Sequence, residues 1–277
     1  MYARSVYTLA LFASAASAQF WKECTTFTLP NITGGYRSRT FIDFSGVTAD
    51  QDAREVLASH GLVISDNGAS GTDSSGVPHV FTPDNVALTD GALSLKVSAY
   101  SGSGNVLGAQ VSTQSQIKYA SVRTVQKSSK VPGVREGNFF YRDSNAEIDM
   151  AILTSTIFEK SECRREGIWA RTKAADGGDK PTHRIFDFGF DPTEDYHEYR
   201  IDWAPDVAYF YIDGKYQGLI TENVPSVDGH WMWNAWSNGD PCWSAGPPSA
   251  DSITQIKSID IITEYTGEVV GPNVCPL

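Results

Sequence analysis

The chain has 277 residues, a formal net charge of −11 at pH 7 and an aromatic content of 12%. Because such an acidic chain repels the phosphate backbone, we expect no nucleic-acid partner. The length is typical of one all-β domain with a single large core, and the 24 glycines suit a protein rich in turns.

Residues 1–18 have the pattern of a secretory signal peptide. Arg4 is followed by an apolar run over 6–13 and then by small residues. This run is too short to span a bilayer, which takes about 20 apolar residues, and no later segment supplies them. We therefore predict cleavage after Ala18, a secreted monomer with no membrane association, and a single domain over 19–277.

Four cysteines, an even number in an exported chain, predict two disulfides rather than a metal site. Three pairings are possible. We expect Cys24 to pair with Cys275, which ties the two ends of the chain together, and Cys163 to pair with Cys242. The sequence Asn31-Ile32-Thr33 is a glycosylation sequon and predicts an exposed turn.

Short runs of alternating apolar and polar residues, such as 40–44 and 92–97, predict antiparallel strands. The runs 208–212 and 215–220 flank Asp213-Gly214 and predict a hairpin. Helical patterning is restricted to 51–60, with Asp50 as the expected N-cap. Many strands and few helices favour an all-β fold of two packed antiparallel sheets, a β-sandwich.

The segment 145–153 carries the clearest functional signal. On a strand, Glu147, Asp149 and Ala151 share one face, and the intervening apolar residues point into the core. Two acidic side chains on one face of a buried strand are costly unless that face lines a solvated cleft.

Such a pair suits glycoside hydrolysis. Retaining hydrolysis needs a carboxylate nucleophile and a carboxylic acid about 5 to 5.5 Å apart. Two Glu residues four positions apart on a strand can lean together across a sugar, and an acid between them tunes the nucleophile.

The motif resembles the Glu-x-Asp-x-Glu signature of glycoside hydrolase family 16, with Ala151 in the last place. Further segments resemble fungal members of the family, and the similarity extends from about residue 40 to 265; these segments are 137–142, 197–203, 213–214, 236–240 and 246–248. The resemblance implies a concanavalin A-like jelly roll with a concave cleft. It also implies endo-β-1,3(4)-glucanase-like activity, by hydrolysis or transglycosylation, on β-glucan or a related cell-wall polysaccharide.

By the same resemblance Glu147 is the nucleophile, Asp149 its helper and Ala151 the position of the missing acid/base Glu. The variant spacing in some members would place that Glu at 152, which is Ile here. Glu159 and Glu162 are weak substitutes. Turnover by this chain is therefore expected to be impaired. The alternative is a non-catalytic, lectin-like glucan-binding protein at a cell wall.

Aromatic and amide side chains near the motif are candidate substrate contacts, since sugars stack on rings and hydrogen-bond to amides. The candidates are Tyr141, Arg142, Trp236, Asn238 and Trp243. Trp231 and Trp233 are expected on one sheet face, and the sequence leaves open whether they pack in the core or contact substrate; His197 is expected to be structural. We expect no cofactor, although the resemblance allows a structural calcium ion that no loop pattern assigns.

Overall fold

A computed structural model describes residues 23–66, 76–158, 163, 165–174 and 180–277. The predicted signal peptide and nearly all of the glycine- and serine-rich segment 67–76 lie outside these residues.

The described chain is almost entirely strands. The strands are β1 (Thr26–Thr28), β2 (Tyr36–Asp43), β3 (Leu62–Ile64), β4 (His79–Phe81), β5 (Val86–Thr89), β6 (Ala92–Val97), β7 (Val106–Thr113), β8 (Ala120–Lys127), β9 (Arg135–Asp143), β10 (Ala146–Leu153), β11 (Ile168–Lys173), β12 (Thr182–Phe186), β13 (His197–Ala204), β14 (Val207–Ile212), β15 (Lys215–Ile220), β16 (His230–Trp236), β17 (Ser252–Tyr265) and β18 (Val274–Pro276). Two short α-helices, α1 (Ala53–Ser59) and α2 (Ser155–Phe158), and a 3-10 helix over Pro83–Asn85 complete the elements.

The strands form two sheets. The outer sheet has ten strands, whose main order is β15-β14-β13-β8-β17-β2-β1-β18, with β5 and β6 joined through β17. The cleft sheet has eight, in the order β12-β11-β10-β9-β16-β7-β3, with β4 beside β7. All pairings are antiparallel except β1 with β18 and β4 with β7. The predicted two-sheet sandwich is confirmed.

One hydrophobic core fills the space between the sheets, because each strand alternates core-facing and outward-facing side chains. Ile148 and Met150 of β10 belong to this core, as the alternation over 145–153 predicts. Trp203, Trp231 and Phe140 are among its largest fully buried side chains. The opposite face of β10 is thereby left to the cleft.

Local signals predicted several elements closely. The run 215–220 is β15, and Asp213 and Gly214 both have positive φ, as a tight two-residue hairpin turn requires. The predicted N-cap Asp50 is wrong, since Asp52 accepts from the backbone N–H groups of Arg54 and Glu55 at the start of α1. Asp52 directly precedes the first helical residue, the position from which a carboxylate reaches these donors.

Both predicted disulfides, Cys24–Cys275 and Cys163–Cys242, are confirmed. The first lies beside β1 and β18, so it fastens the two ends of the described chain to each other. Asn31 of the sequon is exposed in a turn with φ of 66°. In the described residues, no helix combines the length and the apolar character needed to cross a bilayer.

Candidate active site

Strand β10 carries Glu147, Asp149 and Ala151 on the face that points away from the core. The strand lies between β9 and β11 near the middle of the cleft sheet, so its outward side chains stand on the floor of the cleft. A bulge in the pairing with β9 falls between Ala146 and Glu147, next to the first carboxylate. The predicted placement of these three residues on one strand face is observed.

The cleft has a volume of about 500 Å³ and is lined by both polar and aromatic side chains. Its lining residues are His79, Phe81, Gln110, Arg135, Gly137, Phe139, Tyr141, Glu147, Asp149, Met232, Asn234, Trp236, Asn238 and Trp243. Gly137 is required on the floor, because a Cβ there would lie 2.6 Å from Asn234 Oδ1. A cleft of this composition fits a sugar chain, whose ring faces are apolar and whose edges are polar.

Arg171 holds the two carboxyl groups. Its Nη2 is 3.1 Å from Glu147 Oε2, and its Nη1 is 3.8 Å from Asp149 Oδ2. Arg171 faces Asp149 in the register of β10 with β11, so this contact follows directly from the strand pairing. A guanidinium at this position fixes the orientation of the Glu147 carboxyl group.

Burial and mutual repulsion shift the acidity of this pair. Burial raises the pKa of Glu147 to about 8, and the charge of Asp149 adds to the increase, whereas Arg171 opposes it. Burial also raises the pKa of Asp149, against the charges of Arg135 and Arg171. The interaction between the two side chains raises the pKa of Glu147 and lowers that of Asp149, which favours the proton on Glu147. Buried carboxyl groups with raised pKa values are typical of catalytic sites.

On the same face of β10, position 151 carries only a methyl group. Ala151 is 1% exposed and faces Gly137 on β9 and Trp169 on β11. Among the described residues that line the cleft, Glu147 and Asp149 are the only carboxylic acids. Glu159 and Glu162, the weak substitutes considered from the sequence, lie outside the described residues.

Glu136, one strand away on β9, is a further buried acid that does not line the cleft. It points into the core and accepts hydrogen bonds from Gln126 Nε2, Ser129 N and Thr254 Oγ1 at 3.1, 2.9 and 2.7 Å. Burial raises its pKa, and these hydrogen bonds oppose the increase. Its role is therefore internal to the sandwich.

Of the candidate substrate contacts, Tyr141, Trp236, Asn238 and Trp243 line the cleft. Trp236 stacks on His79, with ring centroids 4.7 Å apart.

The loop that follows β16 presents Trp243 to the cleft. Asn238 Oδ1 accepts from Asp240 N and from Ser244 Oγ at 3.1 and 2.7 Å. The Cys163–Cys242 disulfide joins this loop to the segment after α2. These links fix the backbone on both sides of Trp243.

Arg142 is not placed in the cleft. It is exposed and pairs with Asp228, donating from Nη1 to the Asp228 carbonyl oxygen at 2.8 Å and to Oδ1 at 3.2 Å. Tyr141 is the last residue of β9 that lines the cleft, and Arg142 lies beyond it.

Three further side chains have structural roles outside the cleft. Trp231 and Trp233 are fully buried, and their Nε1 atoms donate to Asn138 Oδ1 and Thr124 Oγ1. His197 stacks on Phe190 and contacts Asp213 at 2.8 Å. The core interpretation of the two tryptophans is therefore the observed one.

Several site residues were not identified from the sequence. Arg135 and Arg171 act electrostatically on the carboxyl pair, Trp169 faces Ala151, and His79 and Phe81 line the cleft from β4. The alternation Trp169-Ala170-Arg171 does indicate a strand face. Only the strand pairing shows that this face adjoins Glu147 and Asp149. Among the described residues, no group of three or more His, Cys, Asp or Glu side chains is placed to hold a metal ion.

Comparison with known proteins agrees with this architecture. The profile of glycosyl hydrolases family 16 matches residues 74–240. A β-glucanase of Acetivibrio thermocellus is 30% identical over 163 residues, which are 57% of this chain and 46% of that protein. A xylanase/β-glucanase of Ruminococcus flavefaciens is 40% identical over 53 residues, 19% of this chain and 7% of that protein. The chain thus spans less than half the length of these curated relatives.

Solved structures share the fold. The β-glucanase of Bacillus licheniformis superposes with a TM-score of 0.64 at 18% identity, covering 82% of this chain and 99% of that one. The endo-β-1,3-glucanase of Pyrococcus furiosus superposes with a TM-score of 0.60 at 17% identity, covering 84% and 96%. At these identities the likeness establishes the sandwich fold.

Proposed function

Because this chain belongs to glycosyl hydrolases family 16, we propose that it holds a β-glucan-type polysaccharide in the cleft and attacks it through Glu147. One observation carries the proposal: Glu147 stands beside Asp149 on the floor of a cleft walled by aromatic rings. The names of its relatives, which are β-glucanases, support this class of substrate.

In the proposed reaction the Glu147 carboxylate attacks the anomeric carbon from the face opposite the leaving oxygen. The bond to that oxygen breaks, and a glycosyl ester of Glu147 forms. Arg171, 3.1 Å from Glu147, orients the attacking carboxylate. Glu147 must release its proton before it attacks, and the adjacent Asp149 carboxylate accepts that proton. Water or an acceptor sugar then cleaves the ester with retention of configuration.

The step that this chain lacks is protonation of the leaving oxygen. A general acid contributes about 10²- to 10⁴-fold to such a reaction, and Ala151 has no proton to give. In the second step a Glu at position 151 would act as the base that activates water. Because that Glu is absent, the second step is also slow. We propose that natural polysaccharides are cut slowly, whereas substrates with an acidic leaving group still form the ester.

A second candidate function is glucan binding without turnover. The methyl group of Ala151 favours it, because the aromatic walls and the carboxyl pair remain while the acid is absent. Calorimetric titration with β-glucan oligosaccharides separates the two candidates when it is combined with the assays below. Binding at micromolar to millimolar ligand without product formation is expected for a binding protein.

The first test compares the natural chain with Ala151→Glu in release of reducing sugar from laminarin, lichenan and barley glucan. We expect the Glu variant to exceed the natural chain by about 10²-fold or more, the range of one general acid. Equal rates would mean that another group delivers the proton. Inactivity of a folded Ala151→Glu protein on all β-glucans would exclude the proposed substrate class.

A second test leaves Ala151 unchanged. From a dinitrophenyl β-glucan oligosaccharide the dinitrophenolate leaves without protonation, so this chain is expected to form the glycosyl ester of Glu147, detectable by mass spectrometry. Azide is then expected to attack the anomeric carbon, release Glu147 and yield the β-glycosyl azide. Glu147→Gln is the matched control, and an ester on any other residue would contradict the assignment.

Export is proposed on separate grounds. The signal-peptide pattern of 1–18 and the two disulfides support a secreted protein whose mature part is a single domain over 19–277. The intact mass of the protein recovered from culture medium tests this, since cleavage after Ala18 leaves Gln19 as the first residue.

A further inference from the structure

Three tyrosines form a patch on the outer sheet, away from the cleft. Tyr209 and Tyr211 of β14 alternate with core residues and point outward, and the ring of Tyr216 on β15 lies 6.4 and 5.7 Å from theirs. We call these three residues the tyrosine patch. Tyr216 is its exposed member, at 53%. Among the described strands β15 pairs with β14 alone, so the patch borders an open sheet edge, which proteins usually cover.

The turn that contains the glycosylation sequon rests on this patch. The Tyr209 hydroxyl donates to the Asn31 carbonyl oxygen at 3.0 Å, and Asn31 Nδ2 donates to the Tyr211 hydroxyl at 3.4 Å. The hydroxyl of Tyr265 donates to the Thr33 carbonyl oxygen at 2.7 Å. The turn is therefore held against the outer sheet, while Asn31 and Thr33 stay exposed.

The conformation of the turn accounts for Asn31 but not for Thr33. Asn31 has a φ of 66°, a left-handed conformation that Asn adopts more readily than most residues. Thr33 is held only through its backbone, and its hydroxyl makes no hydrogen bond within the described residues. A hydroxyl two positions after Asn is what the N-glycosylation sequon requires, and 31–33 is the one Asn-x-Ser/Thr sequence of the chain.

The amide of Asn31 can take a sugar and keep its contact with the patch. In N-glycosylation Nδ2 attacks the anomeric carbon of a lipid-diphosphate-linked oligosaccharide, the bond to the diphosphate breaks, and Nδ2 gives up one proton. The linked amide still has one N–H, so its hydrogen bond to the Tyr211 hydroxyl is kept. The export proposed above brings the chain into the compartment where a eukaryotic cell supplies this donor.

We propose that Asn31 carries an N-linked glycan whose first N-acetylglucosamine packs on the exposed ring of Tyr216. The apolar face of a sugar ring packs against an aromatic ring, and Tyr216 is the exposed ring of the patch that contacts the Asn31 amide. The glycan covers the edge of β15 and leaves the cleft open, because the tyrosine patch and the cleft belong to different sheets. This inference rests on the proposed export and is independent of the reaction in the cleft.

The first test is the intact mass of the protein that a yeast host secretes when the chain is expressed with its own residues 1–18. We expect the mass of 19–277 plus one oligosaccharide. Peptide N-glycosidase F should remove the added mass and leave an aspartate at position 31. Thr33→Ala should abolish the addition, whereas the matched control Thr33→Ser should keep it, because serine also supplies the hydroxyl.

The melting temperature tests the contact with Tyr216. We expect glycosylated Thr33→Ser to melt about 2 °C above Thr33→Ala, the shift that one modest contact gives a domain of this size. Endoglycosidase H, which leaves the first sugar in place, should preserve most of this difference. In the Tyr216→Ser background the difference should vanish, because the ring that the sugar packs on is gone.

The outcomes separate this inference from the proposals on which it borders. An exported chain without added mass would overturn the glycan site and leave export intact. A difference in melting temperature that persists in the Tyr216→Ser background would overturn the contact with the tyrosine patch. A chain retained in the cell, with residues 1–18 in place and no glycan, would overturn both export and the site. The reaction of Glu147 is tested by the assays above and is unaffected by any of these results.

Discussion

Two glutamates on neighbouring strands of the cleft sheet are both withdrawn from solvent, and their surroundings differ. Glu136 of β9 points into the core, where three donors satisfy its two oxygens. Glu147 of β10 points into the cleft, beside Asp149, whose Oδ2 is buried without a hydrogen bond in the described structure. The first carboxyl group stabilises the sandwich. The second is held in an environment that raises its energy when it is charged, which is typical of a reactive group.

Replacing Glu136 should produce the largest change in stability. Glu136→Ala leaves the donors of Gln126, Ser129 and Thr254 unpaired in the core, so we expect the free energy of unfolding to fall by about 3 kcal/mol. Urea denaturation followed by tryptophan fluorescence measures it. Glu136→Gln is the control and should lose less, because its amide oxygen still accepts a hydrogen bond. A stable Glu136→Ala protein would contradict the structural role.

Replacing Glu147 should increase the free energy of unfolding, in contrast to replacing Glu136, and the size of the effect should depend on pH. In the folded chain the pKa of Glu147 is about 8 against an ordinary value of 4.5, so unfolding becomes easier as pH rises through this window. The glutamine of Glu147→Gln cannot ionise, so this variant does not lose stability as pH rises. We expect its stability relative to the natural chain to rise by about 2 kcal/mol between pH 5 and pH 8, below the full linkage of about 1.4 kcal/mol per pH unit.

Thermal unfolding of both proteins across this pH range gives the comparison, and Glu147→Gln should at the same time lose all ester formation with the dinitrophenyl substrate. A stability difference that is flat with pH would mean that Glu147 is not the group that holds the proton.

The smallest effect on stability is expected from removing one of the hydrogen bonds that Glu136 accepts. Thr254→Val keeps the shape of the side chain and deletes one hydrogen bond of 2.7 Å to Glu136 Oε1. We expect a loss of about 1 kcal/mol, the usual net value of one hydrogen bond. In the double variant with Glu136→Ala the Thr254 effect should vanish, since its acceptor is gone. Additive losses would show that the two residues do not interact.

Prediction from the sequence succeeded where the signal was local. The alternation of 145–153 put Glu147 and Asp149 on one face and Ile148 and Met150 in the core, and the structure agrees. The hairpin at Asp213 followed from turn chemistry. Both disulfide pairings were predicted correctly, although spacing alone left three pairings open.

The missed features depend on strand pairing, which a sequence pattern does not contain. Arg171 reaches Glu147 because β11 lies beside β10, and Trp169 faces Ala151 for the same reason. Glu136 is separated from the cleft-facing Arg135 by one position, so only its strand parity distinguishes an internal acid from a catalytic one. Arg142 was misplaced because its parity was overlooked: the residues of β9 that line the cleft are the odd-numbered ones from Arg135 to Tyr141, and Arg142, like Glu136, lies on the opposite strand face.

The Cys163–Cys242 bond has a consequence for how this protein is prepared. It anchors the loop that carries Trp243, whose ring lines the cleft, while the sheets are held by their own core. The fold therefore depends on the hydrophobic core, whereas the geometry of the binding loop depends on the disulfide. A reductant that opens this bond will leave the circular dichroism spectrum native but lower the affinity for glucan. Thiol-free buffers belong in every binding assay of this chain.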